Sequence, residues 1–268
     1  MKAPGINLET GLEKSLTDLA NLCGTDKGTI GPIPEWRAHN YTDVYEAYFE
    51  RFRHSALNIL EIGVGVAGDR IKDRIVCGRN KGGASLHMWY DYFPKAKIFG
   101  IDVNECSFLD NDRIKTFVAN QGNVQELRLF TEAVGLMDFD IIIDDGSHRP
   151  DHQQISLSYF FKQLKRGGFY CIEDLLSNGF GDGASGYIAC DEVINTRSVL
   201  KHFLANQRFP EPNAMANHPH FAAHVDYIGF HVPEVDVRFV LSPTRRRLFK
   251  KLMYYKPDTE SLCIIRKK

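Results

Sequence analysis

The sequence predicts an α/β domain, a mostly parallel sheet with helices on both faces. Three observations predict it. From residue 56 onward short apolar runs alternate with helical patterns, the rhythm of βαβ units. Several of those runs finish in acids or glycines, at the edge where open parallel sheets bind ligands. The chain has 268 residues, 43% hydrophobic and 25% charged, which suits one large core.

Residues 8–22 (LETGLEKSLTDLANL) place Leu8, Leu12, Leu16, Leu19 and Leu22 at helical spacing. Residues 43–53 (DVYEAYFERFR) form a second, aromatic-rich helix, and the Gly/Pro-rich stretch between the two is loop. They make up a small N-terminal helical segment, 1–53, ahead of the main domain, 54–268. The run 56–64 (ALNILEIGV) is apolar, ends in glycine and predicts a buried strand. A helix follows at 84–93, then strands at 97–103 and 114–119, a helix at 123–134, a strand at 139–145, a helix at 152–164 and a strand at 167–174. Beyond 175 the pattern loosens, and 176–230 is expected to act as a substrate lid. That range includes a helix at 191–204 and an irregular stretch at 209–224. VDYIGFHV, VRFVL and SLCIIRK are candidate final strands. The basic run 245–251 suits a solvated or partner-facing turn, with a phosphate-bearing substrate as the alternative.

Lys+Arg number 33 and Asp+Glu 34, a net charge of -1, so nothing draws the whole chain to nucleic acid or anionic membrane. No apolar run is long enough for a membrane span. The start, MKAPGINLETGLEKS, has no apolar stretch, so no secretory leader is expected. The 6 cysteines show no paired spacing, as in a reducing compartment. A cytoplasmic location is expected.

Glu61-Ile62-Gly63-Val64-Gly65 closes the first strand, and its glycines let backbone approach a ligand. Gly63, Gly65 and Gly68 match G-x-G-x-x-G literally. Yet the next helix is postponed, and Asp102 comes far later than the roughly 20 residues a dinucleotide fingerprint expects. Glu61 would repel a pyrophosphate and suits a cationic ligand, the sulfonium and ammonium of S-adenosylmethionine. Asp102, closing the second strand, suits a ribose diol, because a carboxylate accepts two hydroxyl hydrogen bonds.

I-D-D-G-S-H (143–148) and C-I-E-D (171–174) carry the strongest signal. Asp145, Glu173 and Asp174 end neighbouring strands, and three uncompensated carboxylates repel one another. Neither motif contains a lysine or arginine, so a hard divalent cation such as Mg²⁺ is the expected counter-charge. His148 stands beside them as general base for a hydroxyl acidified by the metal, with His152 as the second candidate. Alternation alone does not decide whether Asp144 or Asp145 points inward.

The motifs G-T-D-K-G (24–28), L-E-I-G-V-G (60–65), G-G-A-S-L-x-M-W (82–89), Y-F-P (92–94), G-I-D (100–102), I-D-D-G-S-H (143–148) and G-G-x-Y-x-I-E-D-L (167–175) together resemble the metal-dependent sugar O-methyltransferases of macrolide biosynthesis. The likeness spans roughly 20–178. It implies a Rossmann-like class I methyltransferase fold, with a seven-stranded sheet whose last strand is antiparallel. It implies S-adenosylmethionine and Mg²⁺ as cofactors, Asp145, Glu173 and Asp174 as metal ligands, and His148 with Asp145 as the catalytic pair. Glu61, Gly63, Asp102, Gln121, Asn123 and Asp144 are expected on the cofactor side, with Thr25, Asp26 and Lys27 closing over it. A glycosylated small molecule is the expected acceptor and a homo-oligomer the expected assembly. A phenolic diol acceptor, or a non-catalytic protein that merely binds the cofactor, are the rival readings. The chain is expected to lack the extra N-terminal domain of the macrolide enzymes, and it has a longer segment between Gly65 and Gly82.

Overall fold

Ser15 opens the first helix through a capping box with Asp18, and Gly24 closes it in the left-handed conformation. This α1 (Leu16–Cys23) begins a computed structural model that describes residues 13–31, 38–65, 82–135, 138–175, 193–216, 218–233 and 260–268. After it come α2 (Tyr41–Phe49), β1 (Asn58–Ile62), α3 (Ala84–Tyr92), β2 (Lys97–Asp102), β3 (Ile114–Val118), α4 (Val124–Ala133), β4 (Phe139–Asp144), α5 (Pro150–Phe160) and β5 (Leu164–Ile172). The chain ends with α6 (Thr196–Asn206), α7 (His218–His224), β6 (Val225–His231) and β7 (Leu262–Lys267).

The strands form one 7-stranded sheet in the order β3-β2-β1-β4-β5-β7-β6. The pairs β3–β2, β2–β1, β1–β4 and β4–β5 are parallel, and β7 runs antiparallel to both neighbours. The order reverses between β1 and β4, which opens a crevice at their carboxyl ends. Strand parity sorts the core into two layers. Ile59, Ile141, Ile143, Phe169 and Cys171 pack with α1, α2 and α3. Leu60, Ile142, Tyr170 and Ile172 pack with α4, α5, α6 and α7.

Some bounds differ from those the sequence predicts. The first helix starts at its Ser15 cap, and α2 starts earlier, at Tyr41, then tightens into a 3-10 turn at Glu50–Phe52. Pro150 sits in the first turn of α5, where its missing N–H costs nothing, so that helix starts earlier too. The N-terminal segment is part of the domain: Leu16, Tyr41, Tyr45 and Phe49 share the core of β1 and α3. The described part of the expected lid is likewise structural. Val199, Leu200, Phe203, Met215 and Phe221 are buried in the second layer, and the stretch expected to be irregular contains α7. Residues 66–81, the glycine-rich 176–192, the VRFVL strand and the basic run 245–251 lie outside the described residues. No helix among the described residues is long and apolar enough to cross a membrane. Cys23, Cys106, Cys171 and Cys263 are free thiols.

Gly63 holds β1 against the turn after β4. Its φ is +82°, and a Cβ there meets the Asp145 carbonyl oxygen at 2.2 Å. Gly65, with φ +66°, has no described atom within 4 Å of such a Cβ. Gly63→Ala is therefore expected to cost more than about 2 kcal/mol, and Gly65→Ala only about 1 kcal/mol. Urea unfolding midpoints of the two variants check this; equal losses would contradict the close approach.

Candidate active site

Period-two alternation carries three acids to one face of the sheet edge. Glu61 follows Ile59, Asp145 follows Ile143 and Glu173 follows Cys171, all on the α1–α3 side. Backbone bonds hold the strand ends level: Asp145 N–H donates to Ile62 O and Glu173 N–H to Asp144 O, each at 2.9 Å. Asp145 is thus the inward acid. Asp144, expected on the cofactor side, is its counterpart. It points to the other face, fully buried, and accepts from Gln121 Nε2 (2.9 Å), Ser156 Oγ (2.6 Å) and Tyr170 OH (3.0 Å).

The G-T-D-K-G loop brings a cation to the three acids. Its backbone is pinned to the start of α2: His39 N–H donates to Asp26 O, Asn40 N–H to Gly28 O and Thr42 N–H to Lys27 O. Lys27 is 1% exposed. Its Nζ contacts Asp145 Oδ2, lies 2.8 Å from Glu173 Oε2 and stands 3.6 Å from Glu61 Oε1. Tyr45 OH donates to the other Glu173 oxygen at 2.5 Å, and Tyr41 OH donates to Asp174 Oδ1 at 2.6 Å. Residues 41 and 45 are one helical turn apart, so both hydroxyls leave the same face of α2. Asp174 also lies between two imidazoles. His39 Nδ1 is 3.3 Å from Oδ1, and His148 Nε2 is 3.6 Å from Oδ2 and 3.9 Å from Asp145 Oδ1.

Burial and charge pull these groups in different directions. Burial raises the Asp145 pKa, with Lys27 opposing, and raises Glu173 well above the carboxylate range, with Asp145 adding to the rise. Burial also acts upward on Asp174, but His39 and His148 outweigh it and bring it down to about 2. Burial lifts Glu61 to about 7 against the pull of Lys27. Lys27 itself stays protonated: burial acts to lower its pKa, and Asp145, Glu173 and Glu61 together raise it well above the usual value.

Asp145, His148 and Asp174 each offer one ligand atom within 4.8 Å of the others. Two carboxylate oxygens and an imidazole nitrogen can hold a divalent cation. Glu173, expected as a third oxygen ligand, is 1% exposed, and both its oxygens are engaged by Lys27 and Tyr45. On the cofactor side, neither Glu61 oxygen accepts a hydrogen bond among the described residues, and both are buried. Such a carboxylate fits a cationic ligand group. Asp102 accepts from Val64 N–H (3.1 Å) and Asn104 N–H (2.9 Å) and so ties the glycine turn to β2.

Other residues expected on the cofactor side make contacts within the protein. Gln121 donates to Asp144 and accepts from Ser147 N–H at 2.7 Å, fixing the turn that carries His148. Asn123 caps α4 by accepting from Gln125 N–H. Thr25 is buried and accepts from Lys27 N–H, and Asp26 braces His39 through its carbonyl. His152 is turned to Ser147 Oγ (2.8 Å), away from the acids. Tyr41, Tyr45 and His39 belong to the site although no sequence motif marks them. The sequence predicts a helix only from residue 43, so Tyr41 falls in the preceding loop and its i, i+4 pairing with Tyr45 emerges only with α2.

No family model matches the chain. It is 39% identical over 202 residues to the 8-demethyl-8-(2-methoxy-alpha-L-rhamnosyl)-tetracenomycin-C 3'-O-methyltransferase of Streptomyces olivaceus, covering 72% of this chain and 47% of that protein. It is 32% identical over 179 residues to the mycinamicin VI 2''-O-methyltransferase of Micromonospora griseorubida, covering 65% and 42%. The chain spans about half the length of the curated relatives it matches. Among solved structures, it superposes on the MycE methyltransferase of the mycinamycin biosynthetic pathway, in complex with Mg, SAH and mycinamycin VI. The TM-score is 0.63 at 24% identity, over 95% of this chain and 55% of that one, a likeness of fold. By sequence, this chain is a relative of the sugar O-methyltransferases of tetracenomycin and macrolide biosynthesis, built on a class I methyltransferase fold.

Proposed function

We propose that this chain transfers the methyl group of S-adenosylmethionine to a sugar hydroxyl of a glycosylated natural product, with Mg²⁺ at the acidic cluster and His148 as general base. The observation that carries the reading is the meeting of Asp145, Asp174 and His148 at the crevice between β1 and β4, beside the buried acid Glu61. The relatives named for methylating antibiotic sugars favour a sugar acceptor over a phenolic diol.

Glu61 would hold the ammonium of the donor: its buried oxygens accept no full hydrogen bond among the described residues, and Lys27 Nζ stands 3.6 Å off. Gly65, with open space beside its Cα among the described residues, lets the donor approach the backbone of the strand end, and Asp102 lies where β2 ends for the ribose. Asp145 and Asp174, whose Oδ1 and Oδ2 lie nearest His148 Nε2, would hold the metal. When bound, Mg²⁺ supplies positive charge that acidifies a substrate hydroxyl and keeps vicinal oxygens in register. His148 Nε2 takes the hydroxyl proton, and Gln121, through Ser147, keeps the ring at that position. The sulfonium leaves without needing a proton, so positioning and deprotonation carry the rate.

Two outcomes test this. Chelation with EDTA is expected to abolish methyl transfer to a deoxysugar or rhamnosyl antibiotic, and Mg²⁺ to restore it. Full turnover in metal-free protein would remove the metal from the reading. His148→Ala is expected to lower kcat by about 10² to 10⁴ while the calorimetric Kd for S-adenosylmethionine stays within a factor of about three. An unchanged kcat would dismiss His148 as the base.

A further inference from the structure

The metal reading assumes acids in want of a cation, yet Asp145 and Glu173 already hold one. We propose that Lys27 is a built-in counter-cation that competes with the divalent metal for Asp145 and Glu173. The inference rests on the metal reading above and says what the metal must displace.

Three observations carry it. Lys27 is almost wholly buried, and its ammonium lies against Asp145 and Glu173 together. Glu173 has no oxygen to spare, since Tyr45 takes Oε1 and Lys27 takes Oε2. Metal ligation by Glu173 therefore requires the ammonium to leave. The lysine is also delivered by backbone, not by charge alone. Residues 26–28 are bonded to 39, 40 and 42, and Gly28 packs so closely that a Cβ there meets Asn21 Oδ1 at 2.4 Å. The loop holds the lysine backbone beside the cluster, so only the side chain can give way to a metal. Glu61 Oε1, 3.6 Å away and without a hydrogen bond, is the adjacent carboxylate the displaced ammonium can turn to. Lys27 thus stands between the metal acids and the acid assigned to the methyl donor. It compensates the cluster's charge, at the expense of metal affinity.

Calorimetric titration of MgCl₂ into the chelated wild-type chain and into Lys27→Met tests the proposal. The neutral variant is expected to bind at least about tenfold more tightly, to melt lower without metal, and to gain more in Tm from saturating Mg²⁺. Equal or weaker binding by a folded Lys27→Met would overturn it while leaving the metal reading intact. No Mg²⁺ binding by either protein would overturn both. Should the variant fail to fold, the wild-type chain still decides. Its protected Lys27 ammonium resonance, assigned by proximity to the Tyr45 ring, is expected to move on saturation with Mg²⁺. An unmoved resonance would overturn the competition.

Discussion

The structure depends on one buried ammonium. Four acids, Glu61, Asp145, Glu173 and Asp174, gather at the carboxyl edge of β1, β4 and β5, Glu61 and Glu173 closed to water and Asp145 and Asp174 partly open to it. Charges of one sign in such a place cost several kcal/mol each unless they are paired and hydrogen-bonded. Lys27 pairs three of them, and the two α2 tyrosines supply neutral donors to Glu173 and Asp174. This explains why the N-terminal helices share a core with the sheet. If α1 and α2 were a separate cap, neither the lysine nor the tyrosines could be held at hydrogen-bonding distance.

Strand parity does the rest of the sorting. Asp144 and Asp145 are adjacent in sequence yet sit in different environments. Asp144 is locked by Gln121, Ser156 and Tyr170 behind the sheet, and Asp145 faces the crevice. The locked acid supports the exposed one, since Gln121 spans from Asp144 to the N–H of Ser147. A carboxylate that never meets a ligand therefore fixes the turn on which His148 is carried.

Much of this was legible in the sequence. The alternation of apolar runs marks the parallel strands, and the acids at their ends mark the functional edge, because both follow from local patterning. What local patterning lacks is the third dimension. Neither I-D-D-G-S-H nor I-E-D contains a cation, and their counter-charge comes from Lys27, well over a hundred residues earlier. Tyr41 and Tyr45 are indistinguishable in sequence from core aromatics, and their rings are indeed core while their hydroxyls are not. Asn123 and Gln121 follow a strand end, as cofactor residues often do. Their side chains instead satisfy backbone groups of the next helix and turn, a choice set by tertiary distance.

The backbone at the acids adds a last constraint. His148 and Asp174 both adopt positive φ, 56° and 51°, which non-glycine residues adopt only at a cost of order 1 kcal/mol or more. They are the residues whose side chains face each other across the crevice at 3.6 Å. With extended backbone, Asp174 would follow the alternation of β5 to the face opposite Glu173. At Asp174 the left-handed residue breaks the alternation right after Glu173, so two consecutive acids serve one site from two directions, and at His148 it turns the ring back toward Asp145 three residues earlier. The surroundings hold that strain in place: Ser147 is tied to Gln121, Glu173 N–H to Asp144 and Asp174 to Tyr41. The strained pair is thus a consequence of asking two short strand ends to present acids and an imidazole to a single point.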